Sequence, residues 1–229
     1  MFHTDPFALI VLFIGLALIP FVAMVATSYL KIVVVMSLIR NALGIQSIPP
    51  NMVINALAMI LTFYIMAPIC SESWNVVRTE LAAMENRHQE NAEPQPGQPF
   101  FETDIAARAG EPFRKWLQRQ TGDRERSFFV ATAEKLWSKD GETEAVVDPN
   151  SFYILLPSFC VSELTKAFQI GFLVYLPFIA IDIIVSNILL AMGMMMVSPV
   201  TISLPFKLLL FVLVDGWTLL IQGLVRSYI

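Results

Sequence analysis

Residues 191–217 read Ala191-Met-Gly-Met-Met-Met-Val-Ser-Pro199 and then Val-Thr-Ile-Ser-Leu-Pro-Phe-Lys-Leu-Leu-Leu-Phe-Val-Leu-Val-Asp-Gly-Trp217. This stretch closes a run of about 30 nearly uncharged residues, breaks it, and starts a second apolar helix, so it reads as the turn of a hairpin of apolar helices. Consecutive side chains on a helix point about 100° apart, so Met194, Met195 and Met196 cannot all face one partner helix. On a bent segment they can crowd a single opening, and Gly193 before them and Pro199 after them predict such a bend, with these two residues as its hinge. Thioether side chains carry three rotatable bonds and little hydrogen-bonding demand. A ring of them suits a gasket that closes around nothing, or around many different guests, better than it suits a catalytic site.

The rest of the chain agrees with that hairpin. Of its 229 residues 56% are hydrophobic, and the mean hydropathy is +0.64, too apolar for an ordinary soluble domain. Membrane lipid is therefore an expected contact. The net charge is only -4, but residues 71–150 hold 10 of the 15 Lys and Arg and 15 of the 19 Asp and Glu. Those basic residues are interleaved with a larger number of acids, which is not the footprint of a nucleic-acid binder.

Three regions follow from this distribution: residues 1–70, with apolar helices and a short basic loop; residues 71–150, a charged insert; and residues 151–229, an apolar hairpin. Four apolar segments, 7–26, 52–70, 167–197 and 200–225, are each long enough to cross a hydrocarbon core of ~30 Å. Residues 27–51 carry Lys31 and Arg40 and no acid, which reads as a cytoplasmic loop by the positive-inside rule and places the insert outside. Within the insert, 71–89 has helical spacing, 91–99 is a Pro/Gln-rich linker, a helix opens at Glu111-Pro112 and runs to Thr121-Gly122, and 126–139 puts Phe129, Ala133, Leu136 and Trp137 on one face. Residues 1–6 contain no Lys or Arg, so the first apolar segment is expected to be retained rather than cleaved as a signal peptide. Cys70 and Cys160 read as two lone buried thiols, with a disulfide as the alternative.

A charge at mid-membrane costs ~2.5–3.5 kcal/mol on insertion scales, so each one calls for a partner, a water-filled cavity or a place outside the lipid. Asp182 sits near the middle of the third segment, Lys207 and Asp215 lie in the fourth, and Glu163 with Lys166 stands just before the third. Tyr175, Asp182, Ser186 and Gly193 form a narrow polar stripe leading to the methionines, and Asp215, Thr218 and Gln222 form a second such face. For Glu163 and Lys207 the expected role is ion pairing, within one copy or between neighbouring copies. Asp182 and Asp215 are buried polar positions that would support assembly, although Asp182 is isolated enough to act as the coupling carboxylate of a transporter or channel. Pro20, Pro68, Pro177 and Pro205 inside apolar segments predict kinked helices that pack in several copies around an axis.

Motifs for chemistry are missing. The chain has no HExxH, no G-x-x-x-x-G-K-[ST], no G-x-S-x-G and no CxxC, and its histidines are His3 and His88 alone, so neither an enzyme, a metal site nor a cofactor is expected.

With these residues laid out, the chain resembles the FliP/SctR family, the inner-membrane export-gate subunit of flagellar and virulence type III secretion systems. The resemblance rests on Tyr29-Leu-Lys-Ile-Val-Val-Val-Met-Ser-Leu-Ile-Arg-Asn-Ala-Leu-Gly44, Ile48-Pro-Pro-Asn51, Ser162-Glu-Leu-Thr-Lys-Ala-Phe-Gln-Ile-Gly-Phe172, Ala191-Met-Gly-Met-Met-Met-Val-Ser-Pro199, Leu204-Pro-Phe-Lys-Leu208 and Leu213-Val-Asp-Gly-Trp217. It covers both apolar regions and extends weakly into the insert. It implies an all-α protein of membrane-associated helical hairpins, with kinked apolar helices, that assembles as a pentamer with smaller export subunits. The implied assembly is a funnel on the periplasmic side of the inner membrane that passes unfolded proteins. It further implies that Met194, Met195 and Met196 form the gasket of the pore and that Glu163 and Lys207 pair between subunits. The turn Gly44-Ile-Gln-Ser-Ile-Pro49 departs from the flagellar pattern, and with the missing leader it leans toward the virulence (injectisome) branch.

Overall fold

A computed structural model describes residues 6–45, 48–89, 102–138 and 147–229. Among the described residues the protein is all-α, with eight helices: α1 (Pro6–Val25), α2 (Tyr29–Ala42), α3 (Asn51–Gln89), α4 (Glu102–Gln120), α5 (Asp123–Trp137), α6 (Phe152–Ala191), α7 (Pro199–Leu213) and α8 (Gly216–Arg226). The expected linker at 91–99 and the middle of the expected turn, Gln46 and Ser47, lie outside the described residues. The chain divides into two compact units, one made of Met1–Ile65 and Glu163–Ile229, the other of Met66–Ser162.

The first unit is organised around α2, in the segment that sequence alone reads as a basic loop. Ile32, Val35, Met36 and Ile39 follow the i, i+3, i+4, i+7 spacing of a helix face, and all four are buried. They meet Ile54 and Ala58 from α3, Ala167 and Phe178 from α6, Phe211 from α7, and Leu220 and Leu224 from α8. Each large apolar side chain so enclosed contributes ~1.5–3 kcal/mol relative to exposure. The span 27–51, expected as a basic loop, thus holds the helix α2, and the fold gives both of its cations places within it. Lys31 is fully buried, and Arg40, in the last turn, donates to the Asn51 side chain and, at 3.4 Å, to the Pro49 carbonyl.

Helix boundaries also moved. Residues 167–197 were expected as one segment, yet α6 starts at Phe152 and ends at Ala191. The polar run Ser162-Glu-Leu-Thr-Lys166 interrupts apolarity without interrupting the helix, because Glu163 and Lys166 stand one turn apart as an ion pair at 3.2 Å. The four prolines lie inside helices, as expected, Pro20 in α1, Pro68 in α3, Pro177 in α6 and Pro205 in α7. The expected fourth segment is instead split at Val214 and Asp215 into α7 and α8, which meet at 60°. There Asp215 adopts a left-handed backbone with φ 50° and ψ 46°. A Cβ on the next residue, Gly216, would lie 2.3 Å from the Phe211 ring, so only glycine lets the chain turn so closely under that ring.

The second unit gathers residues 66–89 of α3, the helices α4 and α5, and the first turns of α6. Trp116 lies 5.1 Å from Phe159 and stacks at 5.8 Å on Phe113, which in turn stacks at 6.3 Å on Phe152. Gly122 donates its N–H to Ser162 Oγ at 2.9 Å, tying the start of α5 to α6. The α4 helix begins at Glu102, so Pro112 lies inside it rather than opening it. On the expected α5 face Ala133 is buried and Phe129 packs against its cluster, whereas Leu136 and Trp137 are exposed. Neither cysteine is in a disulfide, and Cys70 is exposed rather than buried.

Two helical stretches, Asn51–Ala82 and Phe152–Ala191, are long and apolar enough to cross a membrane, and the bent pairs Phe13–Val25 with Tyr29–Ala42 and Pro199–Leu213 with Gly216–Arg226 raise the number to four if each pair is one span. Phe13, Ile14, Leu16, Leu18, Phe21 and Val22 of α1 are all exposed. They point around the whole circumference, which is the pattern of a helix surrounded by lipid or by other protein.

Candidate functional site

The methionine loop is built by the end of α6. Gly193 takes φ 72°, its N–H donates to the Leu190 carbonyl at 3.0 Å, and the Met194 N–H donates to the Leu189 carbonyl at 3.0 Å. This pair of bonds, spanning three and five residues, is a Schellman termination with glycine at the left-handed position. Pro199 occupies the first turn of α7, where its missing N–H leaves no partner unsatisfied. The short apex between these two stops, residues 194–198, carries Met194, Met195 and Met196, at 41%, 81% and 101% exposure. The triplet is thus projected from one short loop, Met195 and Met196 almost fully exposed and Met194 partly covered.

Around α2 the buried charges form two clusters. In the first, Glu163 is fully buried. Its Oε2 lies 3.2 Å from Lys31 Nζ and accepts a hydrogen bond from Tyr228 Oη, while its Oε1 accepts one from Lys166 Nζ at 3.2 Å. Lys31 Nζ also sits 3.6 Å from the centre of the Tyr228 ring, a cation–π contact whose value rises on desolvation. Burial, reinforced by the adjacent Glu163 carboxylate, pushes the Tyr228 phenol upward, so it stays protonated and remains a donor.

In the second cluster Lys207 Nζ lies 2.6 Å from Asp182 Oδ2 and donates to the Ala42 carbonyl at 3.3 Å. Ser203, one turn before Lys207, donates to Asp182 Oδ1 at 2.5 Å. Ala42 is the last residue of α2, where the carbonyls are unpaired and the helix dipole is negative, so the ammonium caps that end. The two clusters therefore pin α2 at its first and last turns.

Glu163 and Lys207 each hold other partners within the chain. Asp182, which looked isolated in sequence, is the partner of Lys207. Asp215, Thr218 and Gln222 are exposed, and Asp215 makes no capping hydrogen bond to α8. Lys31, Tyr228 and Ser203 escaped the sequence reading. Ser203 was findable, as the residue four before Lys207 on the same face, but nothing in periodicity links Tyr228 to Lys31 across 197 positions. Among the described residues no group of His, Cys, Asp or Glu has the geometry to hold a metal ion.

Long apolar helices, bent helix pairs and charges paired inside helical packing define an all-helical membrane protein. The chain belongs to the FliP family, whose model matches residues 12–224. It is similar to the Yop proteins translocation protein R of Yersinia pestis, with 50% identity over 224 residues that cover 98% of this chain and 97% of that protein. It is 44% identical to the virulence protein YscR of Salmonella typhimurium, covering 98% and 97%, and 43% identical to the hypersensitivity response secretion protein HrcR of Ralstonia nicotianae, covering 96% of each. These relatives bear out both the family resemblance and its lean toward the virulence branch.

Proposed function

We propose that this chain is a core subunit of the export gate of a virulence type III secretion apparatus. Copies of it, a pentamer in the family pattern, join smaller membrane subunits to form a channel that passes unfolded proteins across the bacterial inner membrane, with much of the assembly on the periplasmic side. The observation that carries this reading is the capped loop with three exposed methionines. Met195 and Met196 are almost wholly exposed and Met194 partly so, so copies arranged around an axis would bring them together as a soft closure. Gly193 and Pro199 hold the loop at its two ends. Flexible thioethers can repack around each passing segment, since no fixed outline is demanded of the guest. The names of the relatives, which speak of translocation, secretion and virulence, support the same role.

The rival reading makes Asp182 the coupling carboxylate of an ion-driven transporter. Its 2.6 Å contact with Lys207 and its bond from Ser203 favour a structural role. A pairing of Glu163 with Lys207 of a neighbouring copy would require both to exchange the partners they hold within the chain.

The native mass of the purified complex, alone and with its neighbouring membrane subunits, tests assembly. Conductance of that complex in planar bilayers tests the closure. Met194→Ala, Met195→Ala and Met196→Ala together are expected to leak small ions while keeping the mass. An intact complex whose closed conductance is unchanged by the triple substitution would sink the gasket.

A further inference from the structure

The residues that follow α8 make contacts of their own. Beyond α8, Tyr228 returns to the first turn of α2 and to α6. Its hydroxyl donates to Glu163 Oε2 and lies 3.4 Å from the Ser28 carbonyl, and its ring covers Lys31 Nζ at 3.6 Å. Lys31 and Glu163 are among the largest fully enclosed side chains of the protein. Burying an ion pair stabilises only when the geometry is good and further hydrogen bonds complete it. Here Lys31 Nζ makes no well-aligned hydrogen bond, so its compensation comes from the nearby carboxylate and the face of the tyrosine ring. The tail thus completes a charge cluster that α2 and α6 do not complete between themselves. Of its side chains Lys31, Glu163, Lys166 and Tyr228, that of Tyr228 alone stands outside a helix.

We propose that the C-terminal tail is a latch, in which Tyr228 seats on the Lys31–Glu163 pair and fixes α8 against α2 and α6, and that Glu163 serves as its socket. The consequence concerns α8. That helix follows a 60° bend and borders an apolar cavity of about 450 Å³ lined in part by Val174, Phe178, Leu219 and Leu224. Leu220 and Leu224 seat α8 in the core beside that space, and the tail adds a polar anchor beyond its last turn. The ring contact to Lys31 and the hydroxyl contact to Glu163 are separable, which makes the latch open to dissection. It is a property of one chain and stands apart from the export reading: native mass tests assembly, and the following measurement tests the tail.

The experiment is hydrogen exchange of the α8 amides in the full-length protein, purified as its complex, for Tyr228→Phe, Tyr228→Ala, Glu163→Gln, Lys207→Met and the doubles of Glu163→Gln with Tyr228→Phe and with Lys207→Met. Loss of a charge-assisted hydrogen bond should speed α8 exchange about tenfold in Tyr228→Phe, and more in Tyr228→Ala, which also loses the ring. Because Tyr228 and Glu163 act through one contact, their double variant should exchange no faster than the faster single, while the Glu163 and Lys207 effects multiply. Unchanged α8 exchange in Tyr228→Ala would overturn the latch. So would effects of Tyr228 and Glu163 that multiply, or a rise spread equally over all helices in the conservative Tyr228→Phe variant.

Discussion

Lys207 and Asp182 form an ion pair whose halves lie in different surroundings, so removing one is not equivalent to removing the other. The lysine side chain is 4% exposed and the aspartate 33%. In Asp182→Asn the ammonium stays buried, with the Ala42 carbonyl and a neutral amide as its only help. Stranding one charge of a buried pair costs ~3–5 kcal/mol. In Lys207→Met the carboxylate can still draw water over its exposed third and keeps the bond from Ser203, and the methionine fills the space of the lysine stem. What is lost is one charge-assisted hydrogen bond and the cap on α2, about 1.5–3 kcal/mol. At roughly 3 °C per kcal/mol for a chain of this size, the thermal midpoint should fall about 12 °C in Asp182→Asn and about 6 °C in Lys207→Met. The double variant leaves no charge at this pair and should melt above Asp182→Asn alone. Tryptophan fluorescence of the detergent-purified protein during heating reads all three. A larger drop in Lys207→Met than in Asp182→Asn, or a double variant below both singles, would refute the reasoning. If the Asp182→Asn protein instead keeps its midpoint, the aspartate is not the counter-ion that this geometry makes it.

Two further substitutions probe the breaks in the apolar hairpin. Gly216→Ala sets a methyl within 2.3 to 2.7 Å of three Phe211 ring atoms, and that ring is already flanked by Trp217 at 5.4 Å and Phe178 at 6.4 Å. Overpacking of this kind costs ~1–3 kcal/mol, and Phe211→Leu in the same chain should recover part of the lost midpoint. Gly193→Ala meets no atom within 4 Å, so its cost is that of a left-handed backbone alone, ~1–2 kcal/mol. Its effect should appear as faster hydrogen exchange at the end of α6, with the second unit unchanged; equal destabilisation of both units would contradict a local origin.

How much was legible in the chain varies with the distance over which each signal acts. The apolar segments, the charged insert, the bend at Gly193 to Pro199 and the family motifs are all local patterns, and each was visible in the residues. Boundaries were less so. Prolines at 20, 68, 177 and 205 read as kinks inside apolar helices, and helices run through all four, because neighbouring residues supply enough backbone bonds and packing to carry them across. The true break at Asp215 depends on a ring four residues earlier lying over Gly216, a fact of packing rather than of propensity. Lys31 shows the same limit more sharply. Its charge within a short span free of acids read as a loop in water, whereas α2 is the most enclosed helix of its unit.

What the residues determined alone is therefore the class of the protein: an all-α chain of apolar helices, with a methionine triplet between two helix stops and no motif for catalysis. These follow from composition, period and glycine and proline placement, which act within a few residues. The tertiary structure decided which charges neutralise which. Lys31 meets Glu163 and Tyr228, and Lys207 meets Asp182 and Ala42, over separations that no local rule connects. A buried charge is tolerated only where an opposite charge or dipole lies within a few ångströms. Such closeness exists only after α2, α6, α7 and the tail have packed.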